Sequence, residues 1–71
     1  MSRYLIIIEE TATGFSAYSP DLPGCVATGE TREEAEREMA AAAEFHIEGL
    51  RLAGCPVPEP RSLAAYCNVA A

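Results

Sequence analysis

The chain has 71 residues and a net charge of −6, because eleven acidic side chains face only five arginines and no lysine. A single domain of this size, spanning residues 1–71, buries only about 60% of the surface of its unfolded chain, so we expect further copies of the chain to add stability. The acidic charge argues against direct nucleic-acid binding and favours a basic protein partner, although solubility explains such a charge equally well.

The cysteine content and the amino-terminal segment indicate a reducing compartment. The chain has three cysteines, an odd number, and no secretory signal precedes them. The apolar run at residues 5–8 is too short for a signal peptide or a membrane span. We therefore expect a cytoplasmic protein without disulfides.

The first half of the chain predicts three strands, at residues 4–9, 15–18 and 25–28. The first of them is rich in isoleucine and apolar on both faces, which is typical of a central strand that is covered on both sides. Residues 11–14 form a hairpin connection to the second strand. Because one helix covers only one face of a sheet, we expect another copy or a partner protein on the other face.

The stretch that joins the second strand to the helix carries two structural motifs. Asp21, Pro23 and Gly24 belong to a turn, in which proline fixes φ and glycine admits a positive φ. Thr31 and Glu34 have the spacing of a capping box, in which the threonine hydroxyl accepts from the amide of Glu34 and the glutamate accepts from the amide of Thr31.

A helix is predicted over residues 32–53, where an apolar stripe recurs at helical spacing. Gly54 is expected to end it in the left-handed conformation, and Pro56 prevents its continuation. Phe45 and Leu52 lie beside the stripe, seven residues apart. They either widen the core face or form an interface ridge.

Alternating prolines over residues 56–60 predict a stiff, extended connection. Residues 62–69 then have the composition of a fourth strand, with Tyr66 as an anchor and a further candidate for an interface. The predicted fold is therefore a two-layer α+β domain of order β-β-β-α-β, with one helix packed on a small sheet.

Side chains that can carry chemistry do not form a recognisable active site. His46, the only histidine, lacks a nearby nucleophile and fits a neutral core or interface position better than a general base. Together with Cys25, Cys55 and Cys67 it could supply four zinc ligands, but the spacing matches no usual zinc pattern and favours small core residues.

The acidic residues offer a second, weaker possibility for catalysis. Glu9, Glu10, Asp21 and Glu30 could hold a hydrolytic metal ion, as carboxylate clusters do, but their spacing does not bring them together. We therefore expect no catalytic residue, no metal and no cofactor, and a binding protein rather than an enzyme.

Four segments together resemble the HicB-like antitoxin family of bacterial type II toxin–antitoxin systems: YLIIIEE, GFSAYSPDLPGCVATGET, REEAEREMAAAAEFHIEGL and GCPVPEP. The resemblance extends from residue 3 to about residue 60. Its most specific parts are the PDLPGC turn at 20–25, the capped helix start at 29–35, and Gly54 followed by Pro56, Pro58 and Pro60.

The resemblance implies a partial ribonuclease-H-like fold that lacks that fold's catalytic carboxylates. It also implies neutralisation of a HicA-type toxin, a small basic ribonuclease that cleaves mRNA, by binding the toxin and masking its active site. Family members commonly form dimers or higher oligomers and often repress their operon through a separate DNA-binding segment. We expect no such domain here, and hence a short stand-alone member.

Two other functions remain open at this stage. One is an orphan HicB-like scaffold or small-ligand sensor without a toxin. The more remote one is a metal-dependent nuclease that uses the acidic residues named above.

Overall fold

A computed structural model describes residues 2–70, which form three strands followed by one helix. The strands are β1 (Ile7–Thr11), β2 (Gly14–Tyr18) and β3 (Val26–Gly29), and the helix is α1 (Arg32–Leu52). The strands pair antiparallel in one sheet, and α1 packs across one face of it. The prediction of an α+β fold is confirmed.

The strand order is β1-β2-β3, so β2 is the central strand and the prediction that the first strand is central is wrong. Because short connections join β2 to both of its neighbours, it pairs with the strand before it and the strand after it. Strand β1 begins three residues later than predicted. Ile7 pairs with Tyr18, the last residue of β2, so the residues before Ile7 have no β2 residue opposite them. Its two-sided apolar sequence therefore occupies an edge.

The cross-strand pairs define the two faces of the sheet, because directly opposed residues share a face. The row beneath the helix consists of Ile8, Ala17 and Ala27. The corresponding row on the open face consists of Ile7, Tyr18 and Val26. Val26 keeps 67% of its exposure, whereas Ala17 keeps 1%. The apolar row on the open sheet face is therefore partly exposed to water, most of all at Val26.

The core is a small cluster in which Leu22 and Met39 are the largest fully buried side chains. Ala35 and Met39, one helical turn apart, face the sheet with no measurable exposure. The end of β3 approaches α1 closely, because a Cβ on Gly29 would stand 2.5 Å from the amide nitrogen of Ala35. A glycine at this position lets the first turn of the helix rest on the strand.

The helix start is capped by side chains of its own first turn. The Oγ1 of Thr31 accepts from the backbone N–H of Glu34 at 3.1 Å. The Oε1 of Glu34 accepts from the backbone N–H of Glu30 at 3.2 Å, one residue before the donor that the capping box predicts. Both contacts satisfy amides close to the helix start.

The helix ends in a Schellman motif. Gly54 has a φ of +71°, and its N–H donates to the carbonyl of Arg51 at 3.1 Å. The N–H of Cys55 donates to the carbonyl of Leu50 at 2.9 Å. A residue with a side chain would be strained at the position of Gly54.

The predicted fourth strand is not formed by this single chain. Residues 55–70 contain neither helix nor strand, and no backbone hydrogen bond involves residues 63–70 within the described part of the chain. A strand needs a neighbouring backbone with which to pair, and this segment has none. The described elements are therefore β-β-β-α. The helix within residues 2–70 is not long and apolar enough to cross a bilayer.

Two glycine substitutions in and after α1 should have opposite effects on stability. Gly54→Ala should lower the free energy of unfolding by about 1 kcal/mol, because alanine disfavours a positive φ. Gly49→Ala is the matched control: it lies within the helix with open space around it and should raise the free energy by about 0.5–1 kcal/mol. Urea denaturation of both variants would measure this, and equal effects would contradict the Schellman assignment.

Candidate interaction surface

In the turn between β2 and β3, the side chain of Leu22 points into the core and that of Asp21 points away from it. The N–H of Leu22 donates to the carbonyl of Ser19, and the N–H of Cys25 donates to the carbonyl of Leu22, both at 3.2 Å. Leu22 is 1% exposed and belongs to the core. Asp21, its neighbour, is half-buried and directs its carboxylate towards the carboxy-terminal segment.

Asp21 anchors that segment through three hydrogen bonds. Its Oδ2 accepts from the backbone N–H of Arg61 at 3.1 Å and from that of Ser62 at 3.0 Å. Its Oδ1 accepts from the Oγ of Ser62 at 3.0 Å. The pKa of Asp21 is lowered below its usual value, chiefly by the donated N–H of Ser62, because these donors stabilise the carboxylate.

The remaining motif residues lie around this anchor and the helix end. Pro23 and Pro56 are exposed, and Gly24 has a φ of +81°. The hydroxyl of Tyr4 donates to the carbonyl of Pro58 at 2.6 Å, which ties the proline-rich connection to the segment before β1. The carboxy-terminal segment is thus fixed at two places before it leaves the body of the protein.

Beyond Ser62 the segment runs beside the free edge of β1 without pairing to it. An open groove of about 700 Å³ lies between them, lined chiefly by residues 5–8 and 63–66, with Glu10, Phe15 of β2 and Arg32 of α1 also in its lining. Leu63 is 92% exposed and Tyr66 is 99% exposed. We call this region, residues 5–8 and 63–66, the β1 groove.

The opposite side of the molecule carries a second apolar feature, which we call the helix ridge and define as Phe45 and Leu52. The two side chains are 81% and 83% exposed, so the interpretation that they widen the core is wrong. A shallower groove of about 410 Å³ runs from Phe45 towards the start of β3, with Val26 and the half-buried His46 in its lining. The helix ridge therefore borders the β3 side of the sheet.

The residues considered for metal binding and catalysis do not converge. Among residues 2–70, no three His, Cys, Asp or Glu side chains lie close enough together to hold a metal ion. Cys25 is buried, and burial raises the pKa of its thiol. Cys55 and Cys67 are exposed, so the prediction that the cysteines are core residues holds only for Cys25.

The contact between Asp21 and the carboxy-terminal segment is not predictable from the sequence. The sequence indicates a turn residue at Asp21, which it is, but its carboxylate also accepts from an amide 41 residues later. Local patterns report turn and cap chemistry within a few residues, and no local signal identifies a donor at that separation.

The anchor should depend on the charge of Asp21. Asp21→Ala should shift the amide resonance of Ser62 and raise hydrogen exchange at residues 61–66, whereas Asp21→Asn should have a smaller effect because its carbonyl oxygen still accepts.

The anchor should also depend on pH. The pKa of Asp21 in the folded protein is below the ordinary 3.8, so the anchor is fully formed above pH 3.8 and is lost as the pH falls through the folded pKa. An NMR titration of the Ser62 amide would show this pH-dependent change. The same change in Asp21→Asn would contradict its assignment to the Asp21 carboxylate.

Comparison with known proteins places this arrangement in a family. The family model described as a HicB-like antitoxin of a bacterial toxin–antitoxin system matches residues 4–70. A 14.9 kDa protein from the rep–hol intergenic region of Haemophilus phage HP1 is 35% identical over 65 residues, which are 92% of this chain and 49% of that protein. The chain thus spans about half the length of the phage relative.

A UPF0150 protein of Synechocystis is 39% identical over 58 residues, which cover 80% of this chain and 73% of that protein. A chain in the structure of the HicA3 and HicB3 toxin–antitoxin complex superposes with a TM-score of 0.73 at 37% identity, covering 83% of this chain and 70% of the other. Family match, sequence identity and fold agree, and the chain belongs to the HicB-like antitoxin family.

Proposed function

We propose that this protein is an antitoxin that neutralises a HicA-type toxin, a small basic ribonuclease, by binding over its active site. The observation that carries the proposal is the close likeness, in sequence and in fold, to a chain of the HicA3 and HicB3 complex. The net charge of −6 supports it, because opposite charges steer two proteins together and disfavour wrong partners.

The helix ridge is the surface that suits such a toxin. Phe45 and Leu52 are two turns apart on the same side of α1, and both stand in water. An exposed aromatic side chain bordered by charged residues has the composition of an interface centre with a polar rim. Glu48 is exposed one helical turn after Phe45, and Glu38 is exposed two turns before it. Both would contribute to an acidic rim for a basic partner.

In this proposal the protein acts by binding alone, in the cytoplasm, without a cofactor and without catalysis. Membership of an antitoxin family supports a non-enzymatic role. The motif residues of the turn, the caps and the connection would serve as scaffold for the surface: Asp21, Pro23, Gly24, Thr31, Glu34, Gly54 and Pro56. Blocking an active site requires a preformed, stable surface, which such residues would maintain.

Co-expression with a small basic protein encoded beside this one would test the function. The neighbour alone should arrest growth, and co-expression should relieve the arrest. Size-exclusion chromatography with light scattering should then show a stable heteromeric species. Self-association without any heteromer would favour the orphan scaffold, and cleavage of RNA by the purified chain with Mg²⁺ or Mn²⁺ would favour the nuclease.

A substitution on the helix ridge should weaken toxin binding specifically. Phe45→Ala should cost roughly 2 kcal/mol of binding free energy, because exposed aromatic side chains at interface centres often contribute that much. Since Phe45 is 81% exposed, the same change should leave the thermal stability nearly unaltered.

Thr13→Ala, in the exposed hairpin turn between β1 and β2, is the control and should bind the toxin like the parent protein. Isothermal titration calorimetry of the three proteins against the same toxin would measure the difference. Equal affinities for Phe45→Ala and Thr13→Ala would remove the helix ridge from the toxin interface.

A further inference from the structure

Gly49 is a glycine that the fold of this chain does not require. Gly24 and Gly54 have a positive φ, of +81° and +71°. Gly14 and Gly29 leave no room for a side chain, because a Cβ at either position would stand 2.5 Å from a backbone atom. Gly49 lies inside α1 without a positive φ, and a Cβ there would meet nothing within 4 Å. Since glycine weakens a helix interior relative to alanine, nothing within the described part of the chain favours it at this position.

Gly49 lines the groove of about 410 Å³ that runs from Phe45 towards the start of β3, which we call the Gly49 groove. The lining includes two large and exposed apolar side chains, since Phe45 keeps 81% and Val26 keeps 67% of its exposure. Gly24, Ala42 and Gly49 also line it, and none of them has a side chain larger than a methyl group. An open, apolar groove of this kind has room for one large apolar side chain of another molecule.

The charge around the Gly49 groove selects the kind of partner. Glu38 and Glu48 are exposed on α1, two turns before and one turn after Phe45. No described arginine lines the groove, and the chain as a whole carries a net charge of −6. A second copy would bring the same carboxylates towards this surface, where like charges repel each other. A basic protein would place arginine or lysine side chains against them, so charge favours the basic partner.

We propose that the Gly49 groove receives one large apolar side chain of the basic toxin, and that Gly49 is the point at which the toxin approaches α1 most closely. This inference rests on the proposed antitoxin function and adds the residue that decides which partner fits. The inserted side chain would cover Phe45 and Val26 together, and basic side chains around it would meet Glu38 and Glu48. An apolar anchor in a groove, surrounded by a polar rim, is the usual arrangement at the centre of a tight interface.

Substitutions of Gly49 should change stability and affinity in opposite directions. Gly49→Ala and Gly49→Leu should both raise the midpoint of urea denaturation, because alanine and leucine favour a helix more than glycine does. Isothermal titration calorimetry against the small basic protein encoded beside this one should show a few-fold weaker affinity for Gly49→Ala. The affinity of Gly49→Leu should be at least tenfold weaker, because leucine occupies the space that the toxin side chain needs.

Ala40→Leu is the matched control for Gly49→Leu. Ala40 is exposed and lies about two and a half turns before Gly49, on the opposite side of α1, so its replacement should leave the affinity unchanged. Binding of Gly49→Leu within twofold of the parent protein would overturn this inference and leave the antitoxin function standing. Failure of the parent protein to bind would instead overturn both proposals.

Intermolecular nuclear Overhauser effects provide a second test, which requires no substitution. In the complex, the α protons of Gly49 should show cross-peaks to methyl or aromatic protons of the toxin. A complex without such cross-peaks would overturn the proposal. Cross-peaks from Gly49 to another copy of this chain, in the absence of the toxin, would also overturn it, because a second copy would then occupy the groove.

Discussion

Met39 and Ala35 of α1 close over Ala17 of the central strand and over Leu22 of the turn, and none of these four side chains keeps more than 1% of its exposure. The packing is efficient but one-sided, because a single helix covers a single face of the sheet. The opposite face keeps an apolar row in water, and the sheet keeps two unpaired edges. The exposed apolar row on the open sheet face follows from having one helix for a sheet with two faces.

Asp21 connects this limited core to the rest of the chain. The turn that buries Leu22 also points the neighbouring carboxylate at the amides of Arg61 and Ser62. A carboxylate that accepts several N–H bonds is stabilised in its charged form, so at neutral pH the contact is charge-assisted. The same short turn therefore contributes Leu22 to the core and, through the adjacent Asp21, positions a distant segment.

Features that act within a few residues, such as helix caps and apolar periodicity, make most of the fold predictable from the sequence. Features that depend on which distant segments pair are not predictable in this way. The positions of α1 and of its terminal residues follow from Thr31, Gly54 and the apolar periodicity, all of which act within a few residues. The position of β1 at an edge depends on which strands pair, whereas its two-sided apolar sequence is typical of a central strand. Phe45 and Leu52 are exposed because α1 does not turn them towards the sheet, and helical periodicity alone does not report which flank of a stripe is covered.

The helix ridge and the β1 groove lie towards opposite edges of the sheet, because β2 separates β1 from β3. The helix ridge borders β3, since Phe45 shares a groove with Val26. The β1 groove is lined chiefly by residues 5–8 and 63–66. A partner bound at the helix ridge would therefore leave the β1 groove uncovered, so the two surfaces can be changed by separate substitutions.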